Sequence, residues 1–230
     1  MGNKGKQQKF DELNTFQNVF QNFDFKKANL IGHDRSEVKL AGKWNKIYFK
    51  NPNPIVLELA CGKGEYSLGL SEQFPNKNFI GVDLKGNRIW KGAKKGLKEK
   101  RQNVAFIRSK IELLPHYFES GEVDEIWIIF PDPYPRKSNR NRRLTSPVFL
   151  DIYKKVLKKG GTVNLKTDDT ALFDYSCEIA EEIGMEILEK DFDIYAGNRN
   201  TEGALAIKTF YEKIHLEAGK KIKYLKFVLH

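Results

Sequence analysis

The chain has 230 residues, 40% of them hydrophobic, which is enough for the core of one large domain or two small ones. A formal net charge of +10 favours a polyanionic partner, nucleic acid ahead of a membrane surface, although lysine-rich faces of an ordinary soluble protein would give the same number. The apolar runs are too short to span a bilayer, the N-terminus lacks the apolar stretch of a signal peptide, and two cysteines make no disulfide framework, so we expect a cytoplasmic protein.

The first 54 residues carry few regular signals. Residues 1–10 are typical of a mobile basic tail. Residues 11–22 are expected to form a short helix with apolar residues on one face: Leu13, Phe16, Val19 and Phe20. The rest of this region is expected to be rich in loops, and it ends at Asn-Pro-Asn-Pro, which is a strong break.

From residue 55 onward, strands alternate with helices. Apolar runs predict seven strands, at residues 55–60, 78–83, 104–107, 123–130, 162–166, 185–192 and 222–229. Helices are predicted at residues 66–74, 87–101, 147–157 and 171–183. This alternation is typical of βαβ units and of a parallel sheet with helices on both faces. Ligands of such sheets bind beyond the carboxyl ends of the strands.

A glycine turn follows the first of these strands, in the stretch LELACGKGEYS. Gly62 and Gly64 permit a tight turn and bare backbone for a ligand, but Ser67 fills the third glycine position of a dinucleotide fingerprint. Asp83 ends the next strand, where a carboxylate can take both hydroxyls of a ribose, and Glu58 needs a cationic or hydrogen-bonding partner. The alternatives are a helix cap for Asp83 and a salt bridge for Glu58. Together the two carboxylates favour a nucleoside with a positive appendage, as in S-adenosylmethionine.

Three prolines in five residues follow the fourth of the seven strands. Asp132 stands between two of them, so its backbone has little freedom. A carboxylate held rigidly at the ligand-binding edge of a sheet indicates a functional site. Prolines that merely ended a strand would need no carboxylate between them.

Two basic segments also follow strands. Residues 136–143 hold five basic side chains in eight, and residues 85–101 hold eight against one acid, with Arg88, Lys91 and Lys95 on one helical face. Charge runs are usually solvated faces, but two of them at the ligand-binding edge favour contacts with RNA phosphates.

The stretch PDPYPRKSNRNRR resembles the P-D-P-W-P-K-K-x-H-N-K-R-R signature of the tRNA (guanine-N7)-methyltransferases, which belong to the class I S-adenosylmethionine-dependent methyltransferases. Those enzymes modify guanine 46 in the variable loop of tRNA. Other stretches similar to family motifs are LELACGKGEY, FIGVDLKGNRI, KTDD, TFYE and TFQNVFQ. The chain departs from the pattern at Tyr134, where tryptophan is usual, and at Ser109, where aspartate is frequent.

The resemblance implies a Rossmann-like α/β fold with a mostly parallel seven-stranded sheet, helices on both faces and an antiparallel last strand. It implies an N-terminal extension at residues 1–35 and a single methyltransferase domain at residues 36–230. S-adenosylmethionine would be the cofactor and tRNA the partner. We expect no membrane association, no metal, and a monomer or weak homodimer.

Site residues are carried over position by position. The cofactor would be bound by Glu58, Gly62, Gly64, Asp83, Ser109 and Asp132, and Asp132 would also be catalytic. The substrate nucleotide would be contacted by Arg136, Asp168, Thr209, Phe210, Tyr211 and Glu212. The RNA backbone would be contacted by Lys137, Arg140, Arg142, Arg143, Arg88 and Lys91.

The chemistry is consistent with these roles. Guanine N7 carries a free lone pair, and its methylation removes no proton, so Asp132 is expected to act electrostatically and by positioning. An alternative for Asp168 is the N-cap of the following helix. Two other functions remain open: a methyltransferase acting on another RNA or a non-RNA substrate, and a non-enzymatic RNA-binding protein on a methyltransferase fold.

Overall fold

The computed structural model describes residues 2–196 and 202–230, and the chain divides into two compact units, Met1–Glu119 and Ser120–His230. Each unit is built on strands that join in a sheet, with helices packed against them. The expected division into an extension and a catalytic domain at residue 35 stays a prediction.

The first unit holds four parallel strands and an antiparallel extension. Its elements are α1 (Gly2–Leu13), β1 (Val19–Gln21), β2 (Leu30–Ile31), β3 (Glu37–Val38), β4 (Ile55–Leu59), α2 (Glu65–Gln73), β5 (Asn78–Asp83), α3 (Gly86–Lys98), β6 (Val104–Arg108) and α4 (Leu114–Tyr117). The strands lie in the order β3-β2-β1-β6-β5-β4, and β1, β6, β5 and β4 are parallel. All of β4 and β5 is buried, as expected for parallel strands covered on both faces.

The helix predicted over residues 11–22 is wrong. The helix spans Gly2–Leu13 instead, so it covers most of the predicted basic tail, and the chain then enters β1. Val19 and Phe20 pair with β6, and the ring of Trp44 packs edge-on against Phe20 with centroids 5.1 Å apart. These β-branched and aromatic side chains therefore gain more from sheet pairing and burial than from a helical face.

The second unit contains the remaining strands. Its elements are β7 (Val123–Ile129), α5 (Pro147–Lys154), β8 (Leu157–Thr167), α6 (Thr170–Glu182), β9 (Glu186–Asp191), α7 (Phe210–Glu217) and β10 (Lys223–Val228). They join in the order β7-β8-β10-β9, with β7 parallel to β8 and β10 antiparallel to both of its neighbours. The prediction that the last strand is antiparallel is confirmed, and this strand, β10, lies between β8 and β9.

The seven predicted strands are all present, as β4 to β10. The described residues contain ten strands because β1, β2 and β3 add three short ones that the sequence did not predict. The four helices predicted after residue 55 lie within three residues of their expected bounds at each end, whereas α4 and α7 were missed. β8 begins at Leu157, five residues early, because the Lys-Lys-Gly-Gly stretch read as a helix end belongs to the strand. In the described part of the chain, no helix combines the length and the apolar character that crossing a membrane requires.

Candidate active site

The glycine turn after β4 lies at the carboxyl edge of the first unit's parallel strands. Gly62 and Gly64 have φ of 55° and 66°, in the left-handed region that favours glycine. A Cβ on Gly64 would lie 2.5 Å from a ring carbon of Phe106, so no side chain fits there. A Cβ on Gly62 would meet nothing nearer than a carbonyl oxygen at 4.0 Å, so the backbone there borders open space.

Asp83 ends β5 and organises this turn. One carboxylate oxygen accepts the N–H of Gly62 at 2.9 Å, and the other accepts the N–H of Lys85 at 2.7 Å. The side chain is thus fixed between the glycine turn and the start of α3. Each oxygen keeps a second lone pair, so the carboxylate can still accept hydroxyl groups. The predicted ribose contact fits this arrangement.

Glu58 is a buried carboxyl on β4 in the first unit. It accepts hydrogen bonds from the backbone N–H of Ser67, at 2.7 Å, and from the Ser67 hydroxyl. Burial raises the pKa of Glu58 to about 8, and the neighbouring charge of Asp83 adds to the shift. A bound cation would restore the ionised form, so the site suits the positively charged part of S-adenosylmethionine. The salt bridge considered for Glu58 is absent from the described residues.

Ser109 follows β6 beside Asp83, whose carbonyl accepts the Ser109 N–H at 3.1 Å. The Ser109 hydroxyl lies 2.8 Å from the phenolic oxygen of Tyr117, which also accepts a bond from Asn22. Ser109 is 1% exposed. Its side chain therefore serves a buried network, and this geometry favours a structural role over the predicted cofactor contact.

The Pro-Asp-Pro loop follows β7 at the carboxyl edge of the second unit's parallel strands. Asp132 is exposed at the tip of this loop. Phe130 and Tyr134, which flank the loop, have φ of 47° and 43°, and non-glycine residues adopt such values only when the surroundings impose them. The loop is thus strained on both sides of an exposed carboxylate.

Arg143 does not lie where the sequence predicted. It is only 8% exposed, and its guanidinium donates to the carbonyls of Pro133 and Tyr134 at 3.0 to 3.3 Å. It also stacks on the ring of Tyr175 at 4.4 Å. This arrangement argues against the predicted phosphate contact. The other basic residues predicted to contact RNA are exposed: Arg136, Lys137, Arg140 and Arg142 in the second unit, and Arg88 and Lys91 on α3 in the first.

Asp168 follows β8, and its carboxylate contacts Lys220 and His215. It accepts from Lys220 Nζ at 2.6 Å and lies 3.4 Å from His215 Nδ1. The alternative role as an N-cap is wrong, because the residue that caps α6 is Asp169, which accepts the Leu172 N–H at 2.7 Å. Asp168 therefore remains a candidate for substrate contact.

The T-x-x-E motif forms the start of α7. Thr209 is the N-cap and accepts the Glu212 N–H at 3.2 Å, whereas Phe210 and Tyr211 are about half exposed. Glu212 has no exposed surface. One of its oxygens binds Lys166 Nζ at 2.7 Å and Tyr195 Oη at 2.6 Å, and the other has no hydrogen-bond partner among the described residues.

Sequence reasoning missed Lys166 and Tyr195. Lys166 is fully buried, and its ammonium also donates to the carbonyls of Leu205 and Ile207. Burial lowers the pKa of Lys166, and the Glu212 carboxylate opposes that effect. A lysine inside an apolar strand was the available signal, because a buried ammonium requires a partner. Tyr195 carried no comparable signal.

Comparisons with known proteins agree with this geometry. The family described as "Putative methyltransferase" matches residues 52–225. The tRNA (guanine-N(7)-)-methyltransferase of Christiangramia forsetii is 44% identical over 227 residues, which cover 99% of each chain. The proteins of the same name from Porphyromonas gingivalis and Bacillus subtilis are 46% and 37% identical, over 94% and 79% of this chain and 86% and 83% of theirs.

Solved structures agree on the fold. An antibiotic-related methyltransferase is similar with a TM-score of 0.61 and 18% identity, and the 16S rRNA methyltransferase KamB with a TM-score of 0.62 and 14% identity. Each covers 85% of this chain and 96% of its own. At such low identity the likeness establishes the Rossmann-like α/β methyltransferase fold alone. Given the near full-length similarity to its relatives, the chain belongs to the family of S-adenosylmethionine-dependent tRNA (guanine-N7)-methyltransferases.

Proposed function

We propose that this chain transfers a methyl group from S-adenosylmethionine to N7 of guanine 46 in the variable loop of tRNA. The observation that carries the proposal is the similarity to the Christiangramia forsetii protein, which bears the name tRNA (guanine-N(7)-)-methyltransferase and matches over 99% of both chains. The position in the tRNA follows from the resemblance of the Pro-Asp-Pro stretch to the family signature.

Bound S-adenosylmethionine supplies an electrophilic methyl group on a sulfonium. The lone pair of guanine N7 would form the new bond to the methyl carbon while the sulfur–carbon bond breaks, and the electron pair of that bond would stay on sulfur. No proton leaves the base, so the protein needs no strong general base. Its task is to align N7 with the methyl group and to stabilise the positive charge that develops on the purine.

Asp132 is the residue we assign to that task. Its carboxylate is exposed at the tip of a strained loop, so it is available to a substrate and held in one place. A fixed negative charge beside the purine would stabilise the cationic product and the transition state that leads to it. In the first unit, Glu58, Gly62, Gly64 and Asp83 would hold the cofactor.

Contacts with the guanine nucleotide are assigned to residues of the second unit. The rings of Phe210 and Tyr211 are available for stacking, and Arg136 is available for the phosphate or the base. Asp168 and Glu212 are acceptors for guanine N1–H and the exocyclic amine. Glu212 would first have to become exposed, since it has no accessible surface in this structure.

The test is transfer of labelled methyl from S-adenosylmethionine to an unmodified tRNA transcript, with a transcript carrying adenine at position 46 as the control. Borohydride and aniline treatment then cleaves the chain at any N7-methylguanine. We expect label and cleavage at position 46 in the first transcript only. Label in both transcripts would move the target to another guanine. Binding of cofactor without label would favour a different substrate, and failure to bind it would favour a non-enzymatic RNA-binding protein.

The role of Asp132 has its own test. Asp132→Ala should abolish transfer in single-turnover assays while the affinity for S-adenosylmethionine, measured by calorimetry, changes less than about threefold. Equal loss of binding and transfer would instead assign Asp132 to the cofactor pocket.

A further inference from the structure

We infer that Arg143 is a positioning residue for Asp132, and that its work is done through the Pro-Asp-Pro loop. The guanidinium of Arg143 is bonded to two carbonyls of the loop and stacks on an aromatic ring. The loop itself has strained backbone on both sides of the Asp132 carboxylate. The inference rests on the proposed function, because it takes Asp132 as the group beside the reacting base.

The loop cannot hold its own shape through ordinary secondary structure. Prolines 131, 133 and 135 have no N–H groups, so the only backbone donors between residues 131 and 135 belong to Asp132 and Tyr134. Tyr134 has a left-handed φ of 43°, a conformation that is unfavourable for a non-glycine residue. Some contact outside the loop must therefore stabilise the conformation that places Asp132.

Arg143 provides that contact. Its Nε lies 3.0 Å from the Pro133 carbonyl oxygen and 3.3 Å from that of Tyr134, and its Nη2 lies 3.1 Å from the latter. Those two carbonyls belong to the residues that directly follow Asp132. A planar guanidinium can span two acceptors at fixed spacing, whereas an ammonium is a point charge with no fork geometry.

The surroundings of Arg143 leave it little scope for another role. Its guanidinium carbon lies 4.4 Å from the centre of the Tyr175 ring, and the residue is 8% exposed. A phosphate would have to displace the loop carbonyls to reach the same donors. Arg140, three residues earlier, is exposed and makes the matched comparison for a true phosphate contact.

The decisive variant is Arg143→Lys, which keeps the charge and removes the fork. We expect its single-turnover rate at saturating tRNA and cofactor to fall at least about tenfold, while tRNA affinity and the slope of log K against log salt stay within error of the wild type. Arg140→Gln should behave differently: tRNA affinity falls and the salt slope drops by about 0.7–0.9, as expected for the loss of one phosphate contact.

Hydrogen exchange gives a second readout that needs no substrate. In Arg143→Lys, the amides of Asp132 and Tyr134 should exchange faster, whereas the thermal midpoint should move by no more than a few degrees. A general loss of structure would instead accelerate exchange throughout the unit. This readout also separates the inference from the proposed function, since it stands whether or not tRNA is methylated.

Two results would overturn the inference. If Arg143→Lys transfers methyl at the wild-type rate while Arg143→Gln loses tRNA affinity and salt slope, Arg143 is a phosphate contact. If Arg143→Lys leaves both the rate and the exchange of the loop unchanged, the fork is dispensable. Absence of methyl transfer by the wild type, with faster loop exchange in Arg143→Lys, would contradict the proposed function alone.

Discussion

Glu58 is proposed to bind the cofactor, and burial changes its ionisation. Burial raises its pKa to about 8, so near neutral pH the carboxyl is mostly protonated in the free protein. If the positive group of S-adenosylmethionine lies beside it, binding favours the ionised form and releases a proton. Affinity should then rise by up to about tenfold per pH unit between pH 6 and 7, and level off above pH 8.

Calorimetry in buffers of different ionisation enthalpy measures this proton directly. At pH 6.5 the wild type should release close to one proton per cofactor bound, and Glu58→Gln should release none from this site. Ser67→Ala is a useful companion, because it removes a hydroxyl that donates to the Glu58 carboxyl and leaves that carboxyl in place. Binding of S-adenosylmethionine to the wild type without proton release would mean that the ionisation state of Glu58 does not change on binding.

The placement of a candidate site residue was predictable where the local sequence fixes it. Asp132 stands between two prolines, and Asp83 ends a buried strand, so both positions could be assigned from local pattern. Arg143 could not be told from Arg140 or Arg142, because the three belong to one basic run and only tertiary contacts bury one of them. The same limit applies to Glu212, whose buried ion pair with Lys166 joins residues far apart in sequence.

Among the elements, the glycine turn after β4 contains two glycines that are needed for different reasons. Both need a left-handed backbone, but only one also lacks room for a side chain. Gly62 and Gly64 both have positive φ, yet only Gly64 is closed in by side chains. Gly62→Ala should cost about 1–2 kcal/mol for the left-handed backbone, and Gly64→Ala about 1–3 kcal/mol more, because its Cβ overlaps the Phe106 ring. Urea unfolding without cofactor measures both changes.

Gly160 supplies the reference for this comparison. It has φ of 79° and nothing within 4 Å of an added Cβ, so Gly160→Ala reports the backbone cost alone. If a ligand lies against Gly62, Gly62→Ala should weaken cofactor binding well beyond the effect of Gly160→Ala. Equal destabilisation by Gly62→Ala and Gly64→Ala would show that Phe106 moves aside without cost.

Helices and strands were predicted well where the hydrophobic periodicity and the flanking turn residues indicate the same boundaries. Strand patterns bounded by glycine, proline and asparagine predicted β4 to β10, and amphipathic spacing predicted four helices. The secondary structure of the first 50 residues was not predicted, because it depends on partners far along the chain. Strand β1 pairs with β6, and Phe20 is buried against Trp44. Helix α7 was missed because its first turn carries exposed aromatic residues, which obscure the helical period.

For the molecule as a whole, the position of the positive charges decides how they can contribute to tRNA binding. A net charge of +10 would attract any polyanion, whereas the exposed run from Arg136 to Arg142 concentrates cations next to the Pro-Asp-Pro loop. If this run binds tRNA phosphates, binding must release counterions, and affinity must fall steeply with salt. If overall charge holds the tRNA, variants that remove the same number of charges should have the same salt dependence of affinity wherever the charges lie. If the basic run holds it, only variants within that run should change the salt dependence.

The double variant Lys137→Gln/Arg140→Gln removes two charges from the run. It should reduce the slope of log K against log salt by about 1.5 and weaken tRNA binding at low salt, because two phosphate contacts are lost. Lys154→Gln/Lys159→Gln removes the same charge from exposed positions near the amino end of β8, away from the carboxyl ends where the predicted site residues lie. Filter binding over a salt series should leave its slope nearly unchanged. Equal reduction in both variants would mean that tRNA is held by diffuse charge, and that the basic run adjoining Asp132 has no special part in placing the base.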